Sequence, residues 1–279
     1  MLRFLIAPLI CIVAALPAAA QTLDRIKETG QLRLGFRTDA PPLSYVDTDG
    51  NPAGYSPILC GELAQAITNA LGMENLSVQF VPVGADNRFD MVANGEIDLL
   101  CGAATITLRR MEIVDFSVPT YVDGTAVMQP IDASGDLKQL AGKTVGVRQA
   151  TTTEEALNNT MKASGLDIKV NAYADHRDGL QAMVAGDIAA YFADQSILMF
   201  LHGANPDYAR FRVSPEILTV EKQGLAMQRG DSDFRLLIDG LLSELFAAGR
   251  VQEIFRIALP GAEPGMALRA MYITSPTIP

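Results

Sequence analysis

The segment that decides the fold lies between Asn87 and Ser117, and its sequence is NRFDMVANGEIDLLCGAATITLRRMEIVDFS. It begins with a short helical pattern, which is followed by an apolar strand from Ile97 to Leu100. The strand opens into a loop of small residues, Cys101 to Thr105, and a polar turn then leads to Arg109 and Arg110. Backbone N–H groups of such a loop, the Thr105 hydroxyl and a guanidinium are groups suited to holding a carboxylate.

On both sides of this segment, strand patterns alternate with helix patterns. Leu32 to Phe36 and Leu76 to Val83 have strand patterns, and Tyr55 to Leu71 carries apolar residues at helical spacing. A second unit with the same alternation begins after Asp123-Gly124. Its predicted elements are a strand at Lys143–Val147, a helix opened by a capping-box match at Thr151–Glu154, a strand at Ile168–Tyr173, a helix at about 178–185 and a strand ending at Asp194. This alternation predicts an α/β protein with largely parallel sheets.

The last part of the chain is predicted to return to the first unit. Gln223 to Met227 has a strand pattern, and Asp231 to Ala248 has the pattern of a long amphipathic helix. We therefore predict a discontinuous first lobe with a second lobe inserted into it, joined by two hinge crossings that allow closure around a ligand. The predicted organisation is a signal peptide at 1–20, the first lobe at 21–122 and 222–279, and the second lobe at 123–221.

The beginning of the chain has the features of a signal peptide for export. Arg3 supplies a positive charge, Leu5 to Leu16 is an apolar run too short to span a bilayer, and Ala18-Ala19-Ala20 offers a cleavage site. We therefore expect a soluble mature chain in the periplasm. The net charge of −10 argues against nucleic-acid binding, because an acidic surface repels phosphate backbones.

The cysteines and histidines limit the chemistry further. Cys60 and Cys101 remain in the mature chain, and an exported protein favours a disulfide between them, although the sequence does not show whether they come within bridging distance. The histidines, His176 and His202, have no neighbouring ligand cluster. We therefore expect neither a metal site nor a cofactor.

The Asn87–Ser117 segment and the order of the elements resemble the polar amino-acid-binding proteins of bacterial ABC importers, solute-binding protein family 3. The resemblance is greatest to the glutamate/aspartate branch and extends from about Leu23 to about Leu268. It implies a two-lobed periplasmic-binding-protein fold of type II. In that fold each lobe is a mainly parallel sheet flanked by helices, and the ligand lies in the cleft between the lobes.

The resemblance also implies which residues hold the common part of an amino acid. Arg110, with Thr105 and the Ala103 backbone, matches the positions that bind the α-carboxylate, whereas Arg109 is expected to be exposed. Thr151 and Thr152 lie where a loop meets a helix, and we expect one of them, preferably Thr152, to contact the ligand. Asp194 matches the acceptor of the α-ammonium group. The alternatives are that the threonines form an N-cap and that Asp194 caps the following helix.

Arg37, Arg88 and His176 match the positions that glutamate/aspartate binders use around the distal carboxylate. Taken singly, each would more often be a surface residue. His176, flanked by Asp175 and Asp178, could be charged when a ligand is bound. The chain departs from the family pattern at three positions, Leu43, Ala85 and Ala103, so a broader specificity that includes amides is an alternative.

The expected function is therefore a monomeric binding protein, not an enzyme, that delivers glutamate or aspartate to the membrane subunits of an ABC permease. Two alternatives remain at this point. One is a periplasmic dehydratase of the same fold acting on a prephenate-like acid, with Glu154 or Glu155 as its acid. The other is a sensor protein that presents its ligand-bound form to a receptor.

Overall fold

The computed structural model describes residues 22–277, so the predicted signal peptide lies outside the described residues. Within this range no helix combines the length and the apolar character needed to cross a membrane. In chain order the strands are β1 (Gln31–Arg37), β2 (Asp39–Ala40), β3 (Ser44–Val46), β4 (Pro52–Ala53), β5 (Ser77–Val83), β6 (Leu99–Leu100), β7 (Val114–Phe116), β8 (Tyr121–Asp123), β9 (Thr125–Pro130), β10 (Thr144–Arg148), β11 (Lys169–Tyr173), β12 (Tyr191–Asp194), β13 (Phe211–Val213), β14 (Glu221–Gln223) and β15 (Ala226–Gln228).

The helices alternate with these strands, and several begin at the capping residues that the sequence offers. They are α1 (Thr22–Thr29), α2 (Tyr55–Ala70), α3 (Arg88–Ala93), α4 (Leu108–Met111), α5 (Thr152–Ser164), α6 (His176–Ala185), α7 (Gln195–Ala204), α8 (Ser232–Ala247), α9 (Arg250–Ala258) and α10 (Met266–Thr274). Thr151 caps α5, because its side chain accepts a hydrogen bond from the Glu154 N–H. Asp175 and Asp231 accept in the same way at the starts of α6 and α8.

Two five-stranded mixed sheets form the two lobes. The first sheet has the order β5-β1-β6-β15-β7, in which β5, β1 and β6 are parallel and β15 is antiparallel to both its neighbours. The second has the order β11-β10-β12-β9-β13, in which β11, β10 and β12 are parallel and β9 is antiparallel to both its neighbours. Because β1, β10 and β12 run toward the region between the sheets, residues at their carboxyl ends meet there.

The chain passes between the lobes through two paired strands. β8 and β14 form an antiparallel ladder in which Asp123 lies opposite Glu221 and Tyr121 lies opposite Gln223. Thr105 makes an isolated bridge to Gln223 beside this ladder. We call β8 and β14 the linker strands; they lie near the crossings that the sequence analysis predicts, and the lobe boundaries themselves remain a prediction.

The predicted return strand from Gln223 to Met227 is two strands in the structure, β14 and β15, which are separated at Gly224-Leu225. A Cβ atom at Gly224 would lie 3.1 Å from the Ile106 side chain and 3.3 Å from the Ser117 carbonyl oxygen. Glycine thus permits the close passage of the chain from the linker into the first sheet. The helix predicted near 178–185 begins earlier, at His176, because Asp175 is its N-cap.

Cys60 and Cys101 form a disulfide that joins α2 to the loop after β6. Their Cα atoms are 6.2 Å apart, and both residues are fully buried in the core of the first lobe. The bridge closes a loop with a sequence separation of 41 residues. It therefore restricts the unfolded chain and holds the start of the small-residue loop against α2.

Replacing both cysteines, Cys60→Ser with Cys101→Ser, should lower the free energy of unfolding by about 4 kcal/mol, the value expected for closing a loop of roughly 40 residues. Urea denaturation of the oxidised protein and the variant measures this difference. A thiol reductant should destabilise the wild-type protein and leave the variant unchanged. Equal stability of the wild-type protein and the variant without reductant would contradict the prediction.

Candidate functional site

The residues that the sequence analysis proposes for a ligand all line one cavity between the lobes. The first lobe contributes Arg37, Arg88, Ala103, Thr105 and Arg110, and the second contributes Arg148, Thr151, Thr152, Thr153, His176, Ala193, Asp194 and Ile197. The cavity volume is about 20 Å³, which is room for little more than one water molecule. The lobes are thus closed on each other. They must separate before a molecule the size of an amino acid can enter, and they must close less tightly around such a molecule than they do here.

Arg37 and Arg148 share one carboxylate at one end of the cavity. Arg37 donates from Nε and Nη2 to Oδ1 of Asp39, at 2.9 and 2.6 Å, and Arg148 donates from Nε to Oδ2 at 2.7 Å. The two arginines come from different lobes, at the carboxyl ends of β1 and β10. All three side chains are nearly inaccessible to solvent.

Arg88 is buried in the cavity wall without an acidic partner. Its side chain donates to the carbonyl oxygens of Ala85 and, across the cleft at 3.4 Å, of Ala150, and it lies over the Phe89 ring at 4.6 Å. Among the described residues no carboxylate lies within 4 Å of it, and its Nε has no hydrogen-bond partner. Burial, with the charge of Arg37 nearby, lowers the pKa of Arg88 well below its usual value. A buried charge in this position favours an anion beside it.

His176 lies at the same end of the cavity with one ring nitrogen unused. Its Nδ1 is 3.1 Å from the Tyr191 hydroxyl, and its buried Nε2 has no partner among the described residues. Burial, together with the charge of Arg37, lowers its pKa to about 3. The imidazole is therefore neutral at neutral pH, although Asp175 and Asp178 flank it in the sequence.

Glu221, which does not itself line the cavity, links the two lobes through threonine hydroxyls. Its Oε2 accepts from Thr105 of the first lobe and Thr152 of the second, both at 2.7 Å. Its Oε1 accepts from Thr125 at 3.2 Å and from Thr219 at 2.8 Å. Because the Thr105 and Thr152 hydroxyl hydrogens point to Glu221, their oxygens present lone pairs to other donors. Sequence reasoning missed Glu221, which belongs to a short linker strand without a motif.

Asp194 ends β12 beside this network and faces two other acidic groups. It precedes α7 but makes no side-chain cap bond, and its Oδ2 accepts instead from the Gln223 side chain at 2.8 Å. Burial raises its pKa well above the usual value, and the charges of Asp123 and Glu221 add to the effect. A positive group beside Asp194 would relieve this repulsion.

The two adjacent arginines have different environments. Arg110 donates from Nη1 to the Thr105 carbonyl oxygen at 2.7 Å and lies over the Phe89 ring at 4.8 Å. Burial lowers its pKa, and the charges of Glu221 and Asp194 oppose that shift. Arg109 is exposed and forms a surface ion pair with Glu155. Such a pair contributes little to stability because water screens it.

Thr151 and Thr152 also differ in role. The Thr151 hydroxyl donates to the Arg148 carbonyl oxygen and accepts from the Glu154 N–H, so it is committed to the N-cap. Thr152 lines the cavity, and its hydroxyl donates to Glu221. The geometry thus agrees with the preference for Thr152, and contact with a ligand remains a prediction for both residues.

Arg148 is a further cavity residue that the sequence analysis missed. It ends β10 as Arg37 ends β1, so the rule that selects residues at the carboxyl ends of parallel strands would have found it. Among the described residues no cluster of three histidine, cysteine or acidic side chains has a metal-binding arrangement.

A model of the bacterial extracellular solute-binding proteins, family 3, matches residues 32–257. This range contains every residue that lines the cavity. The chain belongs to this family. The resemblance that the sequence analysis states is therefore confirmed at the level of the family.

Similarity to individual proteins is consistent with this family assignment. The L-glutamate/L-aspartate-binding protein of Pseudomonas aeruginosa is 29% identical over 238 residues, which cover 84% of this chain and 78% of that protein. The glutamate/glutamine/aspartate/asparagine-binding protein of Rhodobacter capsulatus is 31% identical over 235 residues, 83% of this chain and 68% of that protein. The crystal structure of a cysteine-binding protein from Campylobacter jejuni superimposes with a TM-score of 0.75 at 28% identity, covering 86% of this chain and 93% of that chain. The predicted two-lobed α/β fold is thus confirmed.

The neutral, buried His176 predicts how stability depends on pH. A pKa of about 3 in the folded protein, against 6.5 when unfolded, means that the unfolded chain binds the proton more readily between these values. The stabilising effect is complete above pH 6.5 and is lost as the pH falls toward 3. Between pH 7 and pH 5 the wild-type protein should lose about 2 kcal/mol more than His176→Gln, as measured by urea denaturation without ligand. Parallel losses in the two proteins would contradict a depressed pKa.

Proposed function

We propose that this chain is the periplasmic solute-binding protein of an amino-acid ABC transporter and that its ligand is an acidic amino acid. In this proposal the open cleft admits glutamate or aspartate, the lobes close on it, and the closed monomer delivers it to the permease subunits in the membrane. The family and the named relatives support the transport role. The chemistry of the cavity supports the class of ligand.

The observation that carries the choice of ligand is the unpaired guanidinium of Arg88. Its Nε and the Nε2 of His176 are both buried and both lack hydrogen-bond partners among the described residues. A carboxylate at this end of the cavity would accept from Arg88 and offset its buried charge, and His176 would donate if its Nε2 carries the hydrogen. A side chain without an oxygen acceptor would leave Arg88 unsatisfied, which is how a polar site rejects the wrong ligand.

A second set of groups in the cavity is suited to the common part of an amino acid. Asp194 and the lone pairs of Thr105 and Thr152 form an acceptor surface for the α-ammonium group. We assign Thr105 to the ammonium group and not, as the sequence analysis predicts, to the carboxylate, because its hydroxyl hydrogen is donated to Glu221. Arg110 provides a nearby guanidinium for the α-carboxylate. The distribution of charge in the cavity is therefore complementary to a zwitterion with a second negative end.

Amides are included in the proposal as weaker ligands. The side-chain oxygen of glutamine or asparagine can accept from Arg88, although without a charge to offset the guanidinium. One relative at 31% identity is named as binding glutamate, glutamine, aspartate and asparagine. A binding protein of this breadth would rank acids above amides.

The cavity gives little support to a dehydratase. Neither Glu154 nor Glu155 lines it: Glu154 accepts from the Ala150 N–H at the start of α5, and Glu155 pairs with Arg109 at the surface.

Release of product from prephenate-like acids at catalytic protein concentrations would contradict the proposal. Capture of a receptor in place of a permease would favour the sensor alternative.

A thermal-shift panel of the common amino acids tests the proposed ligand class, because a ligand that binds only the folded protein raises its melting temperature. Glutamate and aspartate should give the largest shifts and their amides smaller ones. A flat panel, or a response to basic amino acids alone, would contradict the acidic-ligand proposal.

Replacing Arg88 should separate acids from amides. For glutamate, Arg88→Met removes a hydrogen bond between two charged groups, worth about 3 kcal/mol or roughly 150-fold in affinity; for glutamine it removes one in which only the donor is charged, worth roughly 1.5 kcal/mol. Calorimetric titration of both ligands measures the two losses. Arg109→Met is the matched control, because Arg109 is exposed and does not line the cavity. Equal losses for both ligands in Arg88→Met would reject the role assigned to this residue.

A further inference from the structure

An ion-pair triad crosses the cleft behind the cavity. It consists of Arg37, Asp39 and Arg148, and the carboxylate of Asp39 lies between the two guanidiniums. Arg37 and Asp39 belong to the first lobe and Arg148 to the second. The bond between Asp39 and Arg148 therefore exists only when the lobes are closed.

Asp39 does not line the cavity, whereas both of its partners do. Its side chain is 5% exposed, as is that of Arg148, and that of Arg37 is 3% exposed. Water thus screens these charges weakly, and the interaction of Asp39 with any charge in the cavity is strong for its distance. Through its partners, Asp39 also fixes which N–H groups of each guanidinium remain available to the cavity.

The triad changes the charge that the cavity presents. Arg37, Arg88 and Arg148 would give this end of the cleft three positive charges, while His176 is neutral. Burial alone would raise the pKa of Asp39, but the charges of Arg37 and Arg148 and the hydrogen bond from Arg148 outweigh burial and lower it, so the carboxylate is ionised at neutral pH. One of the three positive charges is thus balanced by the protein itself.

We propose that Asp39 is the positioning residue that sets how strongly the cleft prefers a carboxylate over an amide at the distal end of its ligand. It balances one guanidinium charge and holds Arg37 and Arg148 in fixed orientations across the closed cleft. With this internal counterion, an amide leaves less uncompensated positive charge in the closed cleft than it would otherwise. The inference rests on the proposed function, since it concerns the ligand class of the same cavity.

Asp39→Asn is the direct test, because asparagine keeps the shape of the side chain and removes its charge. The ratio of glutamate affinity to glutamine affinity should rise about tenfold, since a negative charge near the distal group is removed. Glutamine affinity itself should fall, because a third positive charge is left uncompensated. Calorimetric titration of both ligands against the full mature chain gives the two affinities and their ratio.

Arg148→Met tests the same idea in the opposite direction. It removes one guanidinium and leaves Asp39 paired with Arg37, so the glutamate-to-glutamine ratio should fall about tenfold. This variant also keeps the proposal testable if Asp39→Asn does not fold. Opposite changes of the ratio in the two variants are not expected from a general loss of packing.

Asp98 offers a matched control in the first lobe. Like Asp39 it is a buried carboxylate bonded to two guanidiniums, those of Arg25 and Arg33, but none of these residues lines the cavity. Asp98→Asn should lower stability and leave the affinity ratio unchanged. A ratio in Asp39→Asn equal to that of the wild-type protein, with both affinities reduced alike, would overturn the proposal. Binding of neither ligand by the wild-type protein would instead reject the proposed function.

Discussion

The structure depends on how positive charge is buried between the two lobes. A guanidinium taken out of water is strongly unfavourable unless an acceptor, preferably a negative one, faces it. The described cleft contains four such groups, Arg37, Arg88, Arg110 and Arg148. Asp39 balances part of this charge, and backbone carbonyl oxygens accept from the rest. The remaining imbalance is concentrated at Arg88, and the proposed preference for a negative ligand group rests on it.

The topology brings these groups together from distant parts of the chain. Parallel strands in each sheet end at the cleft, so Arg37 at the end of β1 and Arg148 at the end of β10 meet at Asp39. Asp39 and Arg148 are 109 residues apart in the sequence. The linker strands add Glu221, which receives hydroxyl groups from both lobes. Closure thus assembles a site whose halves are each incomplete, which is the general advantage of ligand sites at domain interfaces.

Much of this arrangement follows from local sequence patterns. The alternation of strand and helix patterns predicts the α/β class, and the small-residue loop before Thr105 marks a cavity wall. Arg88 and His176 could be placed in the cavity only through the family resemblance, since each resembles a surface residue in its local sequence. The pairing of Asp39 with Arg148 was not predictable, because it depends on how the lobes close. Glu221 was missed for the same reason: its hydroxyl partners Thr105 and Thr152 are 116 and 69 residues away.

The bridge between Cys60 and Cys101 has a consequence for recognition as well as for folding. Cys101 is followed directly by Gly102 and Ala103, so one end of a cavity wall is anchored covalently to α2. The bridge restrains that wall whether the lobes are closed or open, so part of the entropy of ordering it is lost during folding instead of at each encounter with a ligand. Successive cycles of capture and release therefore begin from a surface that is already organised on one side.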